Sequence, residues 1–399
     1  MRISTGMMFD VSTRGMLNDQ AELLRTQQQM STGKRMLSAS DDPVAASRAL
    51  GVRADAALST QQAASQTAAR GALELAENRL GAVGNLLANA RTLIVAAGNG
   101  ALADSDRQSI ASELRGLYAE LLGMANAQDG QGRYLFAGYQ DGTQPFTETA
   151  AGALYNGDQG SRALAVASAR QIAVSDNGHS IFELGRSGNG VFKTALGGAN
   201  AGTASASVGN VYDAALLTGH AYRMVFNVVG TATTYDVLDL TAGSTLSSAN
   251  AYVNGAAIRF AGIETSVEGA PANGDSIDIT PSTSQSLFKS FADAIAAVSA
   301  SSTASLRGTR LGTALAELDS GSERVLAVRA DFGSRLRELD DLSALGESER
   351  VLLEGQRSQL EDVDYAKAAT DFQRQQLALQ AAQQTYVKMA SLSLFNFIN

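Results

Sequence analysis

Large apolar side chains return at every seventh position over long stretches of this sequence, a spacing that predicts helices packed along a seam. Leu73, Leu80, Leu87 and Ile94 form one such row, and Ala69, Ala76, Val83 and Ala90 form a second, offset by four. Gly98-Asn99-Gly100 interrupts the pattern, Asp104 can cap a new start, and Ile110, Leu114, Leu117, Leu121 and Met124 resume it in steps of four and three. These two helices are expected to fold back antiparallel. Downstream, Leu311, Leu318, Val325, Phe332 and Leu339 predict a third long helix, with Leu315 and Leu336 on its alternate row. Proline, which disrupts a helix interior by about 3 kcal/mol, occurs only at Pro43, Pro145, Pro271 and Pro281, outside these helices. Fully helical, residues 44–97 would span about 80 Å at ~1.5 Å per residue, so the bundle is expected to be elongated. Gly51, Gly71, Gly81 and Gly84 each weaken that helix by roughly 1 kcal/mol relative to Ala, a cost that close backbone packing is expected to offset.

The two ends carry the same signature. Phe9, Met16, Leu23, Met30 and Leu37 are spaced by seven among mostly Gln, Ser, Thr and balanced charge. Tyr365, Phe372, Leu379 and Tyr386 repeat likewise, with Ala368, Ala382 and Met389 on a neighbouring row, before an apolar close that includes Leu394 and Phe395. Five large side chains return about 10 kcal/mol on burial, whereas ordering some 40 residues of backbone costs on the order of 40–80 kcal/mol. Each stripe must therefore be covered, by the other stripe, by the central bundle or by other chains. Two matching stripes at opposite termini favour assembly, with these residues as the interface.

In the middle the period changes. Tyr222–Val229, Ala257–Phe260 and Ser276–Thr280 are β-branched, aromatic or alternating, and read as strands. Asp141-Gly142, Asn156-Gly157, Asn254-Gly255 and Asn273-Gly274 are expected to supply the positive φ of tight turns. The expected class is mainly α with a β-rich insertion: an elongated antiparallel helical bundle or coiled coil carrying an outer β domain. Its expected parts are an amino-terminal assembly segment (1–42), the first part of the bundle (43–146), the β-rich domain (147–284), a return helix (285–342) and a carboxyl-terminal assembly segment (343–399).

Composition narrows the chemistry. The chain has 399 residues, no Cys, no Trp and two His, which removes disulfides and thiolate metal sites. Its net charge of −9, with no basic block, argues against nucleic acid and against an anionic membrane as partners. Residues 146–284 hold six basic and eleven acidic side chains, an ordinary solvated β surface. Met1–Asp10 has no apolar core long enough for a secretory signal, so export is expected to use another route. Gly185–Thr194 approximates a phosphate loop, but Phe192 stands where the glycine before Lys-Thr is required. Asp104-Ser105-Asp106 begins like a calcium loop, yet Ser109 and Arg115 occupy the positions of the turn glycine and the bidentate Glu. His179 and His220 have no ligand spacing, and Ser40-Asp41-Asp42-Pro43 reads as a cap followed by a first-turn proline. No catalytic, cofactor or metal site is expected, and no enzyme.

Met1-Arg2-Ile3-Ser4-Thr5, then Ser31-Thr32-Gly33-Lys34-Arg35 and Ser40-Asp41-Asp42-Pro43, resemble the amino-terminal signature of the flagellin family. Gly132–Tyr139 (GRYLFAGY) and the ending Ser391–Asn399 (SLSLFNFIN) are similar to its hook-filament junction branch. The resemblance covers about the first 146 and last 115 residues. It implies a structural adaptor of the bacterial flagellum, lying between hook-associated protein 1 and the flagellin filament, whose terminal helices form inner coiled-coil layers with lateral copies of itself. It also implies secretion, unfolded, through the flagellar type III apparatus to an extracellular position, with an export chaperone on the carboxyl-terminal helix at Phe372, Leu379 and Tyr386. Two alternatives stay open at this level: a flagellin-type filament subunit, and a secreted adhesin or glycan-binding module in which the β insert does the work.

Overall fold

Among the described residues there are six α-helices, α1 (Thr5–Thr32), α2 (Pro43–Ala97), α3 (Asp104–Ala125), α4 (Leu287–Ser299), α5 (Ala304–Glu361) and α6 (Tyr365–Ile398), and all but α4 carry the predicted rows. The computed structural model describes residues 5–300 and 303–398, without the side chains of 5, 6, 8 and 390–398. The chain divides into one unit built from residues up to 64 and from 341 onward, and another spanning 65–340.

In the second unit the main predicted rows of α2 and α5 lie in the core, while Leu315 and Leu336 of the alternate α5 row are half-buried. Leu73, Leu80, Leu87, Ile94, Ala69, Ala76, Val83 and Ala90 of α2 are all buried, as are Leu311, Leu318, Val325, Phe332 and Leu339 of α5. Ion pairs Arg70–Asp340 (2.6 Å), Arg329–Glu77 (2.6 Å) and Arg91–Asp319 (3.0 Å) fall as α2 rises and α5 descends, which makes the two helices antiparallel. By length and composition α2 is apolar enough to cross a membrane, but its Leu and Ala rows are spent on this core.

Close packing does not account for all four helix glycines. A Cβ on Gly81 would stand 3.5 Å from the guanidinium of Arg329, which binds Glu77, and one on Gly84 3.9 Å from it, ordinary van der Waals distances that an alanine could occupy. Gly51 and Gly71 have nothing within 4 Å. Gly71→Ala is therefore expected to raise stability by about 0.5–1 kcal/mol through helix propensity alone; a denaturation midpoint that falls instead would show hidden packing there.

The face of α3 is rotated from the expected row. Ala111, Leu114, Tyr118, Leu121 and Ala125 are buried, while Ile110, Leu117 and Met124 are half-exposed. The reason is its neighbour α4, a separate short helix ahead of α5, whose Phe288 and Phe291 rings each lie 6.1 Å from that of Tyr118. The cap differs too. Asp106, not Asp104, accepts the Ala103 N–H (3.1 Å), and Asp104 turns to Arg107 (2.8 Å). At α2 the expected cap is present: Asp42 Oδ1 accepts the Ala45 N–H at 2.9 Å, directly before Pro43.

The insertion is antiparallel β. A five-stranded sheet runs in the order Ser244–Ala251, Ala232–Asp239, Tyr222–Val229, Ser276–Pro281, Phe192–Leu196. A smaller sheet is built on Ala257–Phe260 and Ile263–Glu268. Tyr222, Met224, Phe226, Val237, Ile277, Ile279, Ile263 and Val267 make their shared core. Of the expected turn glycines, Gly255 (φ 74°) and Gly274 (φ 86°) have positive φ. Gly142 and Gly157 do not. A Cβ on Gly157 would stand 2.4 Å from the Tyr155 hydroxyl, so that glycine serves close approach. The tight hairpin between Val229 and Ala232 turns instead on Gly230, at φ 62°.

The motifs set aside on sequence are structural. Lys193 of the would-be phosphate loop pairs with Glu317 (2.8 Å) within a strand. His179 meets Glu183 (2.6 Å) and His220 meets Asp239 (2.7 Å). Among the described residues, no cluster of three or more His, Cys, Asp or Glu is placed to hold a metal.

Candidate assembly interface

The first unit is where the two terminal helices meet. Helix α1 packs against α6, and the contacts run in opposite chain directions: Phe9 pairs with Tyr386 and Thr26 with Gln375. The Phe9 and Tyr386 rings stand edge to face, 5.7 Å apart at 80°, the arrangement that ring quadrupoles favour. The buried Thr26 hydroxyl donates to Gln375 Oε1 at 2.9 Å.

The seven-residue rows line this seam. Phe9, Met16, Leu23 and Met30 on α1, and Phe372, Leu379, Tyr386 and Met389 on α6, are half-buried; Ala368 is buried. Leu37 lies off the seam, because α1 ends at Thr32 and Gly33 turns the chain with φ 69°. Tyr365 opens α6 and is largely exposed, with its hydroxyl close to Gly33. The side chains of Leu394 and Phe395 lie outside the described residues.

What these helices leave in water is a different set. Val11 on α1, Leu17 (59% exposed) and Leu24 (51%), and Leu377 and Val387 on α6, are exposed. At 100° per residue, Leu17 and Leu24 sit one step round the helix from Met16 and Leu23, and they are themselves seven apart. That second spacing was available in the sequence as a flanking row of the kind coiled coils use beside the seam.

Past α1 the chain is tied down by charge. Asp41 accepts the N–H groups of Leu37 (2.9 Å) and Ser38 (3.0 Å) and pairs with Arg25 (2.8 Å); these bonds, the one from Ser38 foremost, hold its carboxyl below the usual range. Glu361 accepts from Arg53 Nε (2.7 Å) and Lys34 Nζ (3.1 Å). The Arg53 bond, supported by that from Lys34, outweighs burial and keeps the Glu361 carboxyl low. A carboxyl lowered on folding stabilises above its unfolded value of about 4.3 and loses that contribution as pH falls through its folded value. Protection of the Val363 amide, which donates to Gly33 O, is expected to fall on acidification. Glu361→Gln, which lacks the titrating group, is expected to flatten that part of the profile in hydrogen exchange.

With this geometry in place, relatives can be compared. Residues 3–141 match the bacterial flagellin N-terminal helical region, and 315–398 match the bacterial flagellin C-terminal helical region. The flagellar hook-associated protein 3 of Salmonella typhimurium is 30% identical over 395 residues, covering 99% of both chains. This chain belongs to the flagellar hook-associated protein 3 family. Two solved structures of the family agree in fold. The flagellar junction protein FlgL from Legionella pneumophila superposes with a TM-score of 0.72 at 29% identity, covering 79% of this chain and 100% of its own. FlgL from Xanthomonas campestris gives 0.70 at 31%, covering 77% and 99%. The family relationship spans the middle of the chain as well as the two flagellin-like ends.

Proposed function

We propose that this chain is a structural adaptor of the bacterial flagellum, joining hook-associated protein 1 to the flagellin filament through its terminal helices. The observation that carries this reading is the extent of the kinship. The flagellin models alone fit a filament subunit equally well, but the relationship to hook-associated protein 3 runs through 99% of the chain. Nothing in the β insertion favours an adhesin.

The geometry supplies a mechanism. Pairing α1 with α6 half-buries the rows headed by Phe9 and Phe372, and it leaves Val11, Leu17, Leu24, Leu377 and Val387 in water. Neighbouring copies of the chain, hook-associated protein 1 and flagellin cover those positions in the assembled junction, at about 25 cal/mol per Å² of apolar surface removed from water. The row residues Phe9, Met16, Leu23, Met30, Phe372, Leu379, Tyr386 and Met389 then act inside each subunit, presenting the flanking set.

An export chaperone on α6 at Phe372, Leu379 and Tyr386 would compete for the surface that α1 covers, so it binds before the pair closes. That order fits passage of an unfolded chain through the flagellar type III apparatus to an extracellular site. The test is deletion of the gene with electron microscopy of the cell surface. Hooks without filaments, and flagellin shed into the medium, are expected; intact filaments overturn the reading.

A further inference from the structure

Two non-helical crossings join the terminal pair to the rest of its unit, and they lie against each other. One is 33–42, between α1 and α2; the other is 362–364, between α5 and α6. The Val363 N–H donates to Gly33 O (2.9 Å), the Arg35 N–H to Glu361 O (2.7 Å), and Lys34 bridges Asp362 in antiparallel register. Arg35 Nη2 also reaches Leu360 O at 3.0 Å, and Gln29 Nε2 donates to Arg35 O at 2.6 Å. At the centre is Glu361, whose side chain is only 7% exposed, with Lys34 from the first crossing and Arg53 from α2 on its two oxygens.

A carboxylate so withdrawn from water is costly unless paired and hydrogen-bonded. Here both cations are more than half exposed and could be satisfied by solvent, so the expensive member is Glu361 alone. Lys34 and Arg53 are not neighbours in sequence: Lys34 lies inside the first crossing and Arg53 beyond it, on α2. The carboxylate is satisfied at both oxygens only when the 33–42 segment, the start of α2 and the end of α5 are all in place. Peptide hydrogen bonds at two residues would hold a crossing weakly, since each contributes about 1 kcal/mol net.

We propose that Lys34, Glu361 and Arg53 form a latch across the two crossings, which sets the direction in which the paired α1 and α6 leave residues 43–64 and 341–361. With the latch closed, the helix pair is held in one orientation. With it open, the pair stays zipped by Phe9, Tyr386 and the rows between them, but it pivots about 33–42 and 362–364. This inference concerns the isolated chain and does not depend on the flagellar reading.

The test uses the full chain. Because it contains no cysteine, Leu17→Cys with Leu345→Cys places spin labels at two unique exposed positions of this unit. In the otherwise unaltered chain a single narrow distance distribution is expected. In Glu361→Gln it is expected to broaden, and exchange protection of the Arg35 and Val363 amides to fall about tenfold or more, a local opening rather than a global one. Protection over 73–94 and the Phe9–Tyr386 contact are expected to remain. Lys34→Met, which keeps the Arg53 bond, gives an intermediate response and guards against misfolding of the first variant. Unchanged distances and unchanged amide protection in both variants overturn the proposal, as does broadening accompanied by separation of α1 from α6.

Discussion

Replacing Leu17 and Leu24 together by Asp is expected to abolish incorporation of the protein into the flagellum while leaving its helix content unchanged. Both side chains are more than half exposed in the single chain, so the substitutions remove nothing from its core. In the assembly proposed above, each would lose the transfer of one Leu side chain, about 2 kcal/mol, and would bury a carboxylate without a partner. Two such losses amount to about 4 kcal/mol per subunit before the charge cost is counted, roughly a thousandfold in affinity. The contrasting pair is Met16→Asp with Leu23→Asp, on the seam with α6, which is expected to unzip the terminal helices in the free chain as well. Circular dichroism of the purified variants and complementation of a deletion strain separate the two outcomes. Normal filaments from the Leu17 and Leu24 variant would move the assembly surface elsewhere.

Phe226→Ala is expected to cost the β insertion about 3–5 kcal/mol, the range for truncating a fully buried aromatic residue. Its ring is inaccessible to solvent, stands 5.5 Å from Tyr252 at 86° and lies 6.2 Å from Tyr235, and its strand is central in the five-stranded sheet. Against a typical stability of 5–15 kcal/mol, that loss takes much of the margin. Tyrosine fluorescence, undisturbed by any Trp in this chain, should show the tyrosine-rich sheet unfolding at lower denaturant than the helical signal. A single coincident transition at the original midpoint would show that the cavity collapses.

The bundle core was legible because a long helix converts local spacing directly into a face. Leu73 to Ile94 and Leu311 to Leu339 are buried along their whole lengths, and three strands stand where alternation and β-branching placed them, at Tyr222–Val229, Ala257–Phe260 and Ser276–Pro281. The cap at Asp42 and Pro43 was legible for the same reason, since its geometry closes within four residues. The rotation of α3 was not, because α4 decides which side of it is covered, and a step of four and three fits either of two adjacent faces.

The termini divide along the same line. Periodicity alone establishes that each end is a helix with an apolar row, and the motifs at residues 1–5, 31–35 and 391–399 point to the family. It does not say what covers the row. Folding brings Phe9 to Tyr386, turns Leu17 and Leu24 outward, and sets Glu361 between a lysine 327 residues away and an arginine 308 residues away. Helical spacing reports only which side chains share a face of one element. Which faces meet, and which carboxylate is withdrawn from water, depends on contacts between segments that no local pattern relates.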